Sequence, residues 1–167
     1  LDGLDFDRVS FHSNYFEFNP GASNPYVRDA AVRQLQDEIA LASSRGALVL
    51  TFHPGMQGKR ASREESLENV VASIRRVIEQ SAGAIASGRP LLCMENMDAK
   101  PDKLCGAEDE IAFVLERLPE LGLTFDVAHA GLRGLDIERF ASRFGSRIRH
   151  AHASGALSGK AHGEVSL

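Results

Sequence analysis

Five short apolar runs, each ending at or beside a histidine or an acid, constrain this 167-residue chain more than any other feature. They are Arg8–His12, Ala47–His53, Pro90–Glu95, Leu123–Val127 and Arg147–His152. Each is rich in Val, Leu, Ile or Phe. Runs of that length without strict polar alternation read as strands buried on both faces. Amphipathic stretches with legible ends separate them. Asn24-Pro25 supplies an N-cap and a proline for the first turn of a helix that closes before Gly46, with Val32, Leu35, Ile39 and Ala42 on one side. Ser62-Arg63-Glu64-Glu65 forms a capping box for a second helix, expected to close near Gly88, whose stripe is Leu67, Val70, Val71, Ile74, Val77 and Ile78. A third helix is expected from about Ala107 to Leu118, and a shorter one after Asp136 carries Ile137, Phe140 and Phe144.

Strand and helix thus alternate through five strands, the pattern of a parallel sheet with right-handed crossovers. A doubly wound open sheet would carry a glycine-rich phosphate turn after its first strand, and His12-Ser13-Asn14-Tyr15 is not one. A (β/α)8 TIM barrel needs eight strands and about 250 residues. The expectation is therefore an α/β chain forming one partial barrel domain over residues 1–167, an excised fragment that starts at Leu1 and stops at Leu167.

Composition narrows the class. With 19 Lys plus Arg against 23 Asp plus Glu, the formal charge of −4 gives no bulk basic surface for nucleic acid. The longest apolar run, Gly46 to Phe52, is strand-sized and far short of a membrane span. Cys93 and Cys105 form no CxxC pair, which favours a reducing, cytoplasmic setting over a disulfide framework.

Six histidines carry the chemical signal. His12 and His53 end the first two strands, His129 follows the fourth, His150 and His152 lie on the fifth, and His162 follows in its loop. Glu95 and Asp126 close strands three and four. In a parallel barrel all strand C-termini meet on one face, so these side chains converge despite their separation in sequence. Imidazoles and carboxylates converging at the ends of apolar strands are the ligand set of a divalent metal. Asp126 could equally cap the next helix. His150 and His152 project to the same face, and the one nearer the mouth, His152, is the better ligand, with His150 deeper in the interior or donating to a ligand. Asn14 and Tyr15 are expected at the mouth, and Pro54-Gly55 in a tight turn beside it. Lys59, Arg60 and Arg63 give the second βα loop a basic cluster, suited to a phosphate or to solvent. Cys93 reads as core. There is no nucleophile elbow, no P-loop and no HExxH.

At Phe11-His12-Ser13-Asn14-Tyr15, Thr51-Phe52-His53-Pro54-Gly55, Met94-Glu95-Asn96, Thr124-Phe125-Asp126-Val127-Ala128-His129-Ala130 and Arg149-His150-Ala151-His152 the chain resembles the xylose isomerase-like TIM-barrel superfamily. That superfamily includes sugar phosphate isomerases and epimerases and the endonuclease IV-type AP endonucleases. The resemblance implies that these stretches are barrel strands three to seven. It implies that Glu95, Asp126 and His152 bind one divalent ion (Mn, Mg, Co or Zn), completed by a glutamate on an eighth strand beyond this chain. It further implies that Glu95 exchanges the substrate proton and that His129 contacts substrate. In endonuclease IV members the residues matching His12, His53, His129 and His162 are zinc ligands instead. The chain departs from that pattern at Lys160-Ala161-His162, where an Asp-x-His pair is usual, and at Ala153-Ser154-Gly155 after His152. Lysine cannot ligate a cation. The function implied is a metal-dependent sugar or sugar phosphate isomerase or epimerase, with an AP endonuclease acting on DNA as the alternative. A polypeptide of five strands alone would expose sheet edges through which it can associate into an oligomer.

Overall fold

The computed structural model describes residues 8–85, 88–157 and 160–163, with side chains through residue 155. Five parallel strands form a half-barrel in sequence order: β1 (Ser10–His12), β2 (Val49–Phe52), β3 (Leu91–Glu95), β4 (Gly122–Asp126) and β5 (Ile148–His152). The strands begin and end within one or two residues of the apolar runs. The crossovers are α1 (Pro25–Ser44), α2 (Arg63–Gln80) and α3 (Glu108–Arg117), followed by α4 (Val127–Arg133) and α5 (Ile137–Phe144).

The helix ends follow their sequence signals. Asn24 accepts from the Tyr26 amide ahead of α1, and Ser62 Oγ accepts from the Glu65 amide at 3.0 Å ahead of α2. α2 stops at Gln80 rather than near Gly88, because Ser81 leaves the helix and turns carry the chain to Ile85. α3 begins on Ala107, which offers no side-chain cap. Its first turn holds Glu108, Asp109 and Glu110, whose charges favour the positive end of the helix dipole.

Alternate strand residues divide between two layers. Leu50, Phe52, Leu92, Met94, Leu123 and Phe125 pack outward against Leu35, Ile39, Val70, Ile74, Val77, Ile111 and Val114 of the helices, all buried. Each such side chain contributes about 1.5–3 kcal/mol of hydrophobic stabilisation when fully buried. The other parity faces the barrel interior. There Thr51 and Thr124 share a hydrogen bond of 2.8 Å across β3, with Cys93 between them.

Two features aim the site. The β4–β5 pairing runs from Leu123↔Ile148 directly to Thr124↔His150, so Arg149 is bulged out and His150 and His152 align with Thr124 and Asp126. Gly122 permits this approach, since a Cβ there would meet Cys93 Sγ at 2.6 Å and Arg149 Cγ at 3.0 Å. α4 and a terminal antiparallel hairpin, β6 (Gly155–Leu157) with β7 (Lys160–Gly163), have no counterpart among the elements expected from sequence. Asp126 starts α4 by accepting from the His129 amide, and Gly134, at φ 69°, ends it. Too short to show periodicity, α4 was marked in the sequence only by its two ends. No described helix is long and apolar enough to cross a membrane.

Candidate metal centre

β3 ends with Glu95 on the interior side, and the carboxylate is buried beneath four imidazoles. Its Oε2 lies 3.0 Å from His12 Nε2 and 3.2 Å from His53 Nε2. Its Oε1 lies 3.2 Å from His152 Nδ1 and 3.4 Å from His129 Nδ1. One carboxylate therefore faces two histidine pairs, one pair on each oxygen. Asp126 closes the Oε1 side, with Oδ2 at 3.6 Å from His152 Nδ1 and 3.9 Å from His129 Nδ1.

The two oxygens of Asp126 do different work. Oδ1 accepts from the His129 amide at 2.7 Å and so caps α4. Oδ2 is buried and has no hydrogen-bond partner. A buried carboxylate oxygen without a partner is costly, and a cation relieves that cost directly. The cap role and the ligand role weighed for this residue thus coexist on separate atoms.

Backbone carbonyls orient two rings. His12 Nδ1 donates to Ser13 O at 2.7 Å and His129 Nδ1 donates to Asn96 O at 2.9 Å. A carbonyl only accepts, so the hydrogen sits on Nδ1 in both. His12 Nε2 then faces Glu95 Oε2 as lone pair against lone pair unless a proton or a cation lies between them. The same outer hydrogen bond orients imidazole ligands at metal sites.

The electrostatics show the same competition between proton and cation. Burial pushes the Glu95 carboxyl up, but His12, His152 and His53 together outweigh it and hold it well below the usual carboxylate range. His152 is raised to about 9 by Asp126 and then Glu95. His12 is raised by its bond to Glu95, whereas burial outweighs Glu95 at His53 and lowers it. Two overlapping groups, His12–Glu95–His152 and Glu95–Asp126–His129, each bring their ligand atoms within 4.8 Å of one another. The donor set, the orphaned Asp126 oxygen and the opposed His12 lone pair all fit a divalent cation.

Asn96 carries no role legible in the sequence, and the structure gives it one. Fully buried, its side chain accepts from the Asp126 amide at 2.7 Å and donates to the Asp126 carbonyl at 3.0 Å. It thereby extends the β3–β4 ladder by one rung made of a side chain, and its own carbonyl holds His129. Asp126 and His129 are both tied to the residue that follows Glu95.

The cluster forms the floor of a cavity of about 820 Å³. Tyr15 lines it, 51% exposed and stacked on His53 at a centroid distance of 4.9 Å, with Phe16 stacked on Tyr15 at 4.6 Å. Asn14 lies beside the cavity rather than on its wall. Its Oδ1 accepts from the Phe16 amide, while Glu38 and Gln34 of α1 hold its backbone, so it shapes the turn that presents Tyr15. Gly55, at φ 90°, places its backbone against Asn19, where a Cβ would clash. His129 sits inside α4, not in a loop. His150 lies one layer below the mouth, its ring 5.3 Å from that of His152. His162 is on β7, whose side chains lie outside the described residues.

The basic loop divides. Lys59 and Arg60 are exposed. Arg63 is committed to the fold: its guanidinium pairs with Glu110 of α3 and donates to the carbonyls of Pro101 and Lys103. The wall residues Asp98 and Lys103 carried no motif, and only the polar character of the segment after Glu95 hinted at them.

A half-barrel whose strand ends converge on a His- and carboxylate-rich floor defines a class of parallel α/β barrels with a candidate metal site at the strand ends. Within it, the chain belongs to the xylose isomerase-like TIM-barrel family, whose family profile matches residues 2–164. It is 29% identical to an uncharacterised protein of Methanocaldococcus jannaschii over 160 residues, 95% of this chain and 57% of that protein. It is also 29% identical to a probable endonuclease 4 of Campylobacter concisus, over 86% of this chain and 50% of the relative. Among solved structures it resembles a D-tagatose 3-epimerase-like protein with a TM-score of 0.78 at 23% identity, over 88% of this chain and 56% of that one. The chain thus spans about half the length of the curated relatives it matches.

Proposed function

We propose that the protein is a metal-dependent sugar or sugar phosphate isomerase or epimerase, moving a proton at the carbon beside a carbonyl and hydroxyl pair. The observation that carries this is the asymmetry of the Glu95 carboxylate. On its Oε1 side His152, at 3.2 Å, is joined by a second carboxylate whose Oδ2 is orphaned, a donor set for one cation. On its Oε2 side His12 and His53 stand at 3.0 and 3.2 Å with no second carboxylate beside them, arranged to handle a proton.

Glu95, Asp126 and His152 would hold the ion, which, when bound, supplies Lewis-acid polarisation of adjacent substrate oxygens. Glu95 Oε2 receives the proton from the substrate carbon, and the imidazoles of His12 and His53 hold it there. His12, the more exposed of the two, exchanges it with solvent. In an isomerisation Glu95 returns the proton to the adjacent carbon, while an epimerisation takes its proton on the opposite face from the eighth-strand glutamate that the resemblance implies. Tyr15 and Phe16 offer aromatic faces to the apolar side of a sugar. His129, fixed through Nδ1, lines the same space and contacts the substrate. A cavity of about 820 Å³ suits a small molecule, and the resemblance to an epimerase-like structure agrees with that size.

The test is solvent deuterium uptake into a panel of ketoses and aldoses by the metal-loaded protein. Exchange at one carbon, lost in Glu95→Gln, is expected; no exchange into any of them would overturn the proposal. A second reading, hydrolysis of abasic DNA by two or more zinc ions, is favoured by His12 and His53 together and by similarity to a probable endonuclease 4. It predicts cleavage of an abasic duplex, with binding that falls steeply with salt.

A further inference from the structure

We propose that the Asp98–Lys103 ion pair on the cavity wall is a specificity element that reads two neighbouring hydroxyls of a substrate held over Glu95. This rests on the sugar reading above and deepens it, assigning an uncharged polyol segment to that end of the cavity.

The pair is built into the wall rather than waving from the surface. Lys103 Nζ lies 3.0 Å from Asp98 Oδ2, and the two side chains are only 17% and 13% exposed. The segment that carries them is pinned on every side. Met97 donates to Cys105 O at 3.0 Å, Leu104 to Gly55 O at 3.0 Å, and Gln57 to Asp102 O at 2.7 Å. Arg63 holds Pro101 O at 2.8 Å. The Lys100 amide donates to Asp98 Oδ1 at 3.2 Å, which fixes the carboxylate plane.

The fold has little need of this pair. A buried ion pair contributes little against apolar side chains of the same shape, so its place in a pinned wall calls for another role. Both residues line the cavity that contains Glu95, His53 and His129. The ammonium has three hydrogens and spends one on Asp98, while the carboxylate keeps lone pairs beyond those used by Lys103 and Lys100. An acceptor and a donor side by side at 3.0 Å match two hydroxyls on adjacent carbons, one donating to Asp98 and the next accepting from Lys103. Charge decides the class. Asp98 cancels Lys103, and the other charged wall residues, Lys100 and Glu17, are one of each sign, so the pair suits neutral hydroxyls better than a phosphate or carboxylate. The stacked Tyr15 and Phe16 rings line the same cavity and can cover the C–H face of such a segment.

The experiment compares metal-loaded wild type with Asp98→Asn and Lys103→Met for binding of a ketohexose panel by calorimetry. Each ketohexose is paired with deoxy analogues lacking one hydroxyl. Wild type is expected to bind at least one ketohexose and to lose about tenfold on removal of one hydroxyl. The variants should bind the parent sugar about tenfold more weakly and no longer distinguish that analogue, with metal content unchanged, whereas Tm falls because one charge is left without its partner. If a single variant fails to fold, the apolar pair Asp98→Leu with Lys103→Met replaces it and should show the same loss. Variants that bind and discriminate as wild type does would overturn the inference while leaving the sugar reading intact. Wild type that binds no ketohexose but binds an abasic duplex would overturn both.

Discussion

Glu95 and Asp126 place two carboxylates in a buried floor with too few hydrogens to satisfy them, and the strongest expectations concern that deficit. Replacing Asp126 by Asn removes the orphaned charge but leaves Oδ1 able to cap α4. Asp126→Asn should therefore fold with near-normal helicity and lose the bound ion, which elemental analysis and circular dichroism check together. Asn96→Ala removes the amide that ties Asp126 to β3. It should weaken metal affinity by about 10–100-fold, as loss of an outer-sphere partner does. His152 sets the pH dependence. Without metal its proton is held up to about pH 9 by Asp126 and Glu95, so a cation must displace it at neutral pH. Metal affinity should rise by up to about tenfold per pH unit toward pH 9 and level off above it. Metal-free protein should behave in the opposite sense. The stability contributed by the raised His152 is complete below its ordinary value of 6.5 and is lost as pH climbs to about 9. Metal titrations and melting curves at pH 6.5, 7.5 and 8.5 test both signs.

Elements place these residues through their junctions. Arg63 opens α2 yet reaches α3 and the segment after β3, so one side chain fastens two helices to the segment that carries part of the cavity wall. Arg63→Ala leaves Glu110 and two carbonyls without their donor and should cost about 2 kcal/mol in denaturant unfolding. Gly122 works by absence. Gly122→Ala drives a methyl into Cys93 Sγ and should cost about 1–3 kcal/mol, much of it recovered in the double variant with Cys93→Ala. The helices that alternate with the strands were legible from caps and stripes because those signals are local. α4 was not, since seven residues begun by a carboxylate and ended by a glycine carry no period to read.

Across the whole molecule, the two cysteines report opening. Both are buried, with burial pushing Cys93 up to about 12 and Cys105 higher still, so neither thiol should react with a disulfide reagent until the domain opens. An ion held by Glu95, Asp126 and His152 would tie that opening to the site. At 100 times its dissociation constant it adds about 2.7 kcal/mol, so thiol labelling should slow about 100-fold on metal saturation if labelling follows global opening.

The five strands, every described helix but α4, and the convergence of His12, His53, Glu95, Asp126 and His152 at one end of a parallel sheet were legible in the sequence. Strand periodicity and the geometry of parallel crossovers leave those side chains no other meeting place. Which oxygen each histidine faces, the division of the two Asp126 oxygens between a helix and the site, and the hold of Asn96 on Asp126 and His129 emerge from tertiary contacts alone. Tertiary structure alone removed Arg63 from the basic loop and brought Asp98 and Lys103 onto the cavity wall. These are contacts between residues tens of positions apart whose spacing in sequence carries no period. They exist only after the β4–β5 bulge, the Gly122 approach and the pinned segment behind β3 have fixed the distances at which one side chain finds another.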